Sequence, residues 1–165
     1  MSDLMTTRAQ TTRDRADLAA SILFGAVRVG LGLLWLHEGY VKFRAHFGRA
    51  DILLVVDGAS ANSRVPEYFR FVAEHLLRPM ADLAGIMTPL TEVVLGLVLV
   101  LGVFSTLSAV ASAGLLAVYW SSDQLIAQYP IMAVLSVGVL AGQGYSYRWT
   151  IKALVHRRPN LEKEE

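Results

Sequence analysis

Charge is crowded into a few places in this chain and nearly absent from the rest, and that distribution limits the fold more than any motif. Formal charges cluster at the two ends and in one segment near residues 42–82. The stretches between them are almost bare of charge and long enough to cross a ~30 Å hydrocarbon core. Of 165 residues, 54% are hydrophobic and 18% charged, where a soluble domain usually carries about 25% charged residues. A large soluble core would share the apolar excess, so the placement of the charges decides. Lipid offers no partner to backbone polar groups, which favours helices. A β-barrel would need alternating segments of about ten residues, and these stretches are apolar all round.

The reading is an all-α integral membrane protein, one membrane domain over residues 1–165. It is expected to be a four-transmembrane-helix bundle with spans at about 18–41, 83–104, 107–125 and 130–149. A short amphipathic helix at about 66–78 is expected in the connection between spans one and two. Residues 1–16 are expected to fray or lie on the headgroups, and the tail from Lys152 is highly charged. The first apolar segment has the basic lead of a secretion signal in Arg8, Arg13 and Arg15. Arg28 interrupts its apolar run, however, and no small-x-small cleavage site follows Trp35-Leu36-His37-Glu38-Gly39, so it reads as a retained span.

Small residues recur at packing intervals. Gly25, Gly32 and Gly39 share one stripe of span one, Ala109, Ala113 and Ala117 recur in span three, and Gly138 and Gly142 pair in span four. Close helix–helix contact is the expectation. Lys and Arg near the span ends put both termini on the cytoplasmic side of the cell (inner or plasma) membrane. Basic residues in the connection (Lys42, Arg44, Arg49, Arg64, Arg70 and Arg78) pull the other way. Within the connection, Val65, Phe69, Val72 and Leu76 recur at helical spacing, and Glu67, Arg70, Glu74 and Arg78 form a ladder of alternating charge. Pro66 suits the first turn and Pro79 stops it. Two readings stand: a lid over one mouth of the bundle, or a helix that fills the loop and rests on headgroups.

Ionisable groups inside a span cost at least ~2.5 kcal/mol at the centre, so they are the first place to look for chemistry. Arg28, Trp35, Glu38, Gly39 and Lys42 fall within one arc of about 100° on a helix, while His37 points the other way. Glu38 and Lys42 form an i,i+4 pair in the favourable order, and their mutual neutralisation near the interface is the plainer account of both. Glu92 lies about two turns inside span two, and its nearest formal charge in sequence is Asp82, of the same sign. It needs a cation or a proton, and Lys42 and Arg28 are the candidates. Asp123 should lie at the same depth as Glu38 and Glu92, behind Tyr119 and Trp120, which have the position of interface aromatics. Gln143 should lie nearer Arg28. Polar groups converging in an apolar bundle suit a small ligand with a polar head.

Other chemistries drop out. A net charge of +1 without a basic face gives no reason to expect a nucleic-acid partner. The absence of cysteine removes disulfides, iron–sulfur ligation and thiol redox chemistry. His37 is the lone histidine inside a span, so a bis-His haem is not expected, and no motif for a metal, phosphate or dinucleotide appears. Electrons, if handled, pass through a partner or a diffusible quinone.

Span one, with Arg28 followed by Gly32-Leu33-Leu34-Trp35-Leu36-His37-Glu38-Gly39-Tyr40-Val41-Lys42, resembles the opening signature of DoxX/DoxD-type membrane proteins. Pro89-Leu90-Thr91-Glu92 leading to Gly96-Leu97-Val98-Leu99-Val100-Leu101-Gly102 resembles the second. The resemblance covers about residues 24–147. The loop Phe104-Ser105-Thr106-Leu107 lacks the basic residue the family often has there, and the connection after Lys42 is long, as on the DoxD side. DoxD is the membrane subunit of a thiosulfate:quinone oxidoreductase. The resemblance implies a subunit of a quinone-linked redox system, with Arg28, Glu38, Lys42 and Glu92 at the matching positions and thiosulfate left open as substrate. Glu38 and Glu92 are then the catalytic candidates, exchanging protons with quinone oxygens, and Arg28, Trp35, Lys42 and Asp123 the ligand-binding ones. Quinone is the cofactor implied, with none covalent or metallic, and the partners are lipid and the subunits of a redox complex. The competing reading is a non-catalytic scaffold that docks a redox or respiratory complex. A small-solute carrier is disfavoured, because no span is visibly broken except near Pro89 and no inverted repeat is seen.

Overall fold

The computed structural model describes residues 2–124 and 126–146, the first eight of these and Ser146 by backbone alone. Among them there is no strand. The helices are α1 (Ser2–Arg44), α2 (Arg49–Ala61), α3 (Glu67–Val72, running on as a π-helical turn over Ala73–Leu77), α4 (Ala81–Leu101), α5 (Ser105–Ser121), α6 (Gln128–Ala141) and α7 (Gln143–Ser146). By length and apolar composition two of them suffice to cross a membrane, α1 from Gln10 onward and α4. The 21 residues of α4 span about 31 Å at 1.5 Å per residue. The apolar helices α5 and α6 are shorter, at 17 and 14 residues.

Packing follows the small residues. Helix α1 lies along α4, with α6 on another side, and α5 packs on both α4 and α6. A Cβ added at Gly32 would stand 2.9 Å from the Gly96 carbonyl oxygen, and one at Gly96 would stand 2.7 Å from that of Gly32. A Cβ at Gly39 would meet the Pro89 carbonyl oxygen at 3.0 Å. The two backbones thus touch along a seam with no room for a side chain. Gly138 of α6 and Gly142 just after it face Val27 and Phe24 of α1, and the Phe24 ring stacks on Tyr145. The stripe expected on α5 holds at Ala109 alone. Ala113 and Ala117 are exposed, and the buried face is Ser108, Ala109, Ser112, Leu116 and Tyr119.

Several boundaries differ from expectation. Nothing in residues 2–17 breaks a helix, and α1 begins at Ser2 instead of fraying before Leu18. Helix α4 ends at Leu101 because Gly102 adopts φ +72°, a left-handed cap, with the Val103 N–H donating to the Val98 carbonyl at 3.1 Å. Phe104, expected inside span two, instead precedes α5 with φ 51°. The fourth apolar stretch breaks after Ala141, at Gly142. Its continuation from 147 to Trp149, the charged tail and Leu125 lie outside the described residues.

The connection holds one more helix than expected. In α2, Ile52, Val56 and Ala59 are buried. Val56 and Ala59 form a second small core with Val65, Phe69 and Ala73. The buried row is therefore Val65, Phe69, Ala73 with Leu77 beside it, while Val72 and Leu76 face outward. Of the expected charge ladder, Arg78 pairs with Glu74 at 2.9 Å and also with Asp57 of α2 at 2.7 Å. Hydrogen bonds to Asp57 and Glu74 hold its guanidinium above the usual arginine range.

Candidate functional site

The apolar core of α1, α4, α5 and α6, built on Leu31, Trp35, Leu99, Leu116 and Met132, encloses one polar cluster. Lys42, two residues from the end of α1, directs its ammonium between two carboxylates. It lies 2.7 Å from Glu92 Oε1 and 3.1 Å from Glu38 Oε2. Glu92 is fully buried, and Glu38 is 7% exposed. The i,i+4 spacing brings Lys42 over Glu38 on one face of α1, and the Gly39–Pro89 contact brings that face against α4.

The two carboxylates are solvated unequally by the protein. Glu38 receives the Gln128 side-chain amide on Oε1. Its Oε2 accepts from Lys42 and, at 3.3 Å, from the Tyr129 hydroxyl. Glu92 receives the Tyr119 hydroxyl and Lys42 on Oε1 alone. Its other oxygen, Oε2, is buried and finds no hydrogen-bond partner among the described residues. With all three groups ionised the trio carries one excess negative charge in an apolar surround, the condition under which a proton or a ligand dipole is most needed.

Aromatic rings close the cluster. Tyr119 stacks on Tyr129 at 5.2 Å between centroids, and its ring lies 5.3 Å from the Lys42 ammonium. Trp35, at 6.3 Å from Tyr119, is fully buried. Its indole N–H donates to Ser112 Oγ at 2.8 Å, and that hydroxyl pairs with Ser136 Oγ at 2.8 Å. The Ser136 hydroxyl donates back to the Met132 carbonyl. Trp35 thus locks α1 to α5 and α6.

The structure brings Glu38, Lys42 and Glu92 together, with Trp35 beside them. It places Arg28 and Asp123 elsewhere. Arg28 stands ten residues before Glu38 on α1, about 15 Å along the axis. It donates to the last carbonyls of α4, Leu99 at 2.5 Å and Val100 at 3.3 Å. There a cation meets the negative end of a helix dipole. A Cβ on Gly102 would collide with its guanidinium, so that glycine serves both the left-handed turn and the arginine's approach. Lys42, not Arg28, is the partner of Glu92. Asp123, at φ 58°, accepts from Asn62 and Arg64 at 2.6 Å each. With the Tyr68–Ser121 hydroxyl contact it ties the connection to the end of α5. Gln143 lies towards Arg28, bonded to Thr106.

Tyr119, Tyr129 and Gln128 are the polar residues that sequence reasoning passed over. The one signal for Tyr119 was its offset from Trp120: adjacent residues on a helix face different ways, and Trp120 is 62% exposed while Tyr119 is buried.

A family model described as DoxX matches residues 23–129, a segment that holds every member of the cluster. No curated protein and no solved structure matches the chain.

Proposed function

The chain belongs to the DoxX family of membrane proteins, and from that premise we propose that it is the membrane subunit of a quinone-linked redox system. In this reading α1, α4, α5 and α6 are four spans of one bundle in the cell membrane, with both termini cytoplasmic. The alternation of their directions and their mutual packing support it, as does the apolar composition of α5 and α6. Length argues less well for α6, whose 14 residues reach about 21 Å.

The observation that carries the redox reading is the bare Oε2 of Glu92. Protonated there, Glu92 becomes a buried hydroxyl donor with no acceptor among the described residues, and a quinone carbonyl is an acceptor of the right kind. Lys42, held between the carboxylates, would stabilise negative charge on the same ligand. Reduction of a quinone to a quinol takes two electrons and two protons. The electrons come from a partner subunit, and Glu92 and Glu38 hand over the protons. An apolar groove of about 280 Å3 between α4 and α5, reached by Thr91 and Leu95 on either side of Glu92 along the chain, suits an isoprenoid tail. Sulfur-compound oxidation is the form of this chemistry that the resemblance to DoxD suggests.

Glu92→Gln tests the reading. Lys42 keeps its contact with Glu38 in this variant, so the protein should accumulate to near wild-type levels with less than about 1 kcal/mol lost. Quinone-linked turnover of its complex should fall at least about tenfold. Normal abundance with unchanged turnover would remove Glu92 from the site. The scaffold reading would then lead, and the outward row Tyr68, Phe71 and Leu76, each more than half exposed, favours it as a docking face.

A further inference from the structure

The ends of the helical body differ in what lies between them and the cluster. At one end, where α1 finishes and α4 begins, Glu38 is slightly exposed and touches Gln128, which is half-buried at the start of α6. The Lys42 side chain is 14% exposed at the same end. Towards the other end, Glu92 is followed by Leu95, Leu99, Leu31, Ala109 and Val139, all buried and apolar. The hydroxyl chain from Ser112 through Ser136 gives no way past them. It ends on the carbonyl of Met132, a turn back towards the first end. The next ionisable side chain in that direction among the described residues is Arg28, which holds the end of α4.

We infer that the Glu38–Lys42–Glu92 cluster takes up one proton, and exchanges it with water on one membrane face alone, the face that carries the α2–α3 connection. The proton passes from hydronium to the Glu38 carboxylate beside Gln128; the Lys42 ammonium then gives one N–H proton to Glu92 Oε1 and takes the Glu38 proton in its place, and rotation of the Glu92 carboxyl turns the new hydroxyl to the bare side. One N–H bond is broken and one formed at Lys42, one O–H is formed and broken at Glu38 and one formed at Glu92, so the ammonium ends unchanged. The groups facing Glu92 are Glu38 and Lys42 from α1, Tyr119 from α5 and, through Glu38, Tyr129 and Gln128 from α6. Two carboxylates share a single ammonium, so one proton balances the set. Glu38 already has three donors on it, whereas Glu92 has an oxygen to spare. The Asp123–Asn62–Arg64 contacts and the Tyr68–Ser121 contact stand over the same end, so the connection borders the route.

This rests on the cluster being the proton-exchanging part of the proposed site, and it can be tested without quinone. The full-length protein is reconstituted into vesicles of synthetic phospholipid, with cysteine in place of the exposed Ser60 of α2 reporting which way each molecule faces. A hydrophobic carbodiimide, which reacts with protonated carboxyls, is added while the pH of each side is set separately. Mass spectrometry then reads the modification of Glu92. The expected result is a labelling rate that climbs as pH falls on the Ser60 side, approaching roughly tenfold per pH unit above the titration range. The same change on the opposite side should leave it within about twofold. Labelling that follows the opposite side, or both sides equally, would overturn the one-sided route. Absence of labelling at Glu92 at every pH would overturn the proton site itself. Since the vesicles hold no quinone, each of these results leaves the Glu92→Gln turnover test standing by itself.

Discussion

At one end of the helical body α1 sets Arg28 against α4, and at the other it sets Lys42 against the same helix, yet the two contacts are built differently. Arg28 meets main-chain carbonyls in the last turn of α4, where a helix C-terminus has acceptor capacity to spare. The pairing asks for nothing beyond a cation, whose single charge faces the negative end of the helix dipole. Lys42 meets two carboxylates, one of them fully buried, and the set carries more negative charge than the ammonium can cancel. A buried cation that satisfies a helix end has a structural explanation. A buried acid in excess of its cations has none, and that imbalance is why the proposed site lies at the Lys42 end.

The sharpest way to break this contrast is to remove the cation at each end in turn. Lys42→Met leaves two buried carboxylates side by side without a counter-charge and should destabilise the protein by about 3–5 kcal/mol. Thermal unfolding in detergent would measure the loss. Adding Glu92→Gln to that variant should restore more than half of it, and failure of the rescue would mean that Glu38 or the lost packing, not Glu92, sets the cost.

Gly32→Leu tests the seam that holds both contacts in place. Its Cβ would fall 2.8 Å from Val100 Cγ2 and 2.9 Å from the Gly96 carbonyl oxygen. A cost near 3 kcal/mol is expected, at the upper end of overpacking penalties because backbone must move. Leu33→Ala, on a side chain 56% exposed, should change stability by less than about 0.5 kcal/mol. Similar effects of the two would remove the close contact from the account.

Arg28→Met should have the smallest effect of the three, about 1–2 kcal/mol, since it withdraws a charged donor from neutral carbonyls, of which Leu99 still accepts from the Gly102 N–H. Glu92→Gln should not rescue it. A loss as large as that of Lys42→Met would erase the distinction between the ends.

Much of the seam was readable in the sequence, because glycines seven residues apart return to one side of a helix and small residues there have few other uses. The pairing of Glu92 with a basic residue of α1 was readable too, since an acid two turns inside an apolar span must find a cation or a proton. Which cation was not: Lys42 and Arg28 lie on the same arc, and the choice depends on the vertical offset of α1 against α4, which the Gly39–Pro89 and Gly32–Gly96 contacts set. Asp123 was misplaced for a related reason. The sequence puts it in the same half of the bundle as Glu92, but it lies in the turn beyond Ser121, where its left-handed backbone brings it to Asn62 and Arg64. Helix α2 escaped notice because Asp57 and Gly58 interrupt a short segment. The spacing of Ile52, Val56 and Ala59 was its one periodic trace.

The glycine seam also divides the molecule mechanically. Where α1 and α4 touch through main chain there are no rotamers to exchange, so the offset of one helix against the other, and with it the height of Lys42 beside Glu92, is set by backbone contact. Helix α5 meets its neighbours through side chains instead, among them Ser112, Leu116 and Tyr119. On the proposed reading, a ligand entering the cluster would displace α5 before α4, and the Tyr119–Glu92 hydrogen bond is the contact such a movement would break.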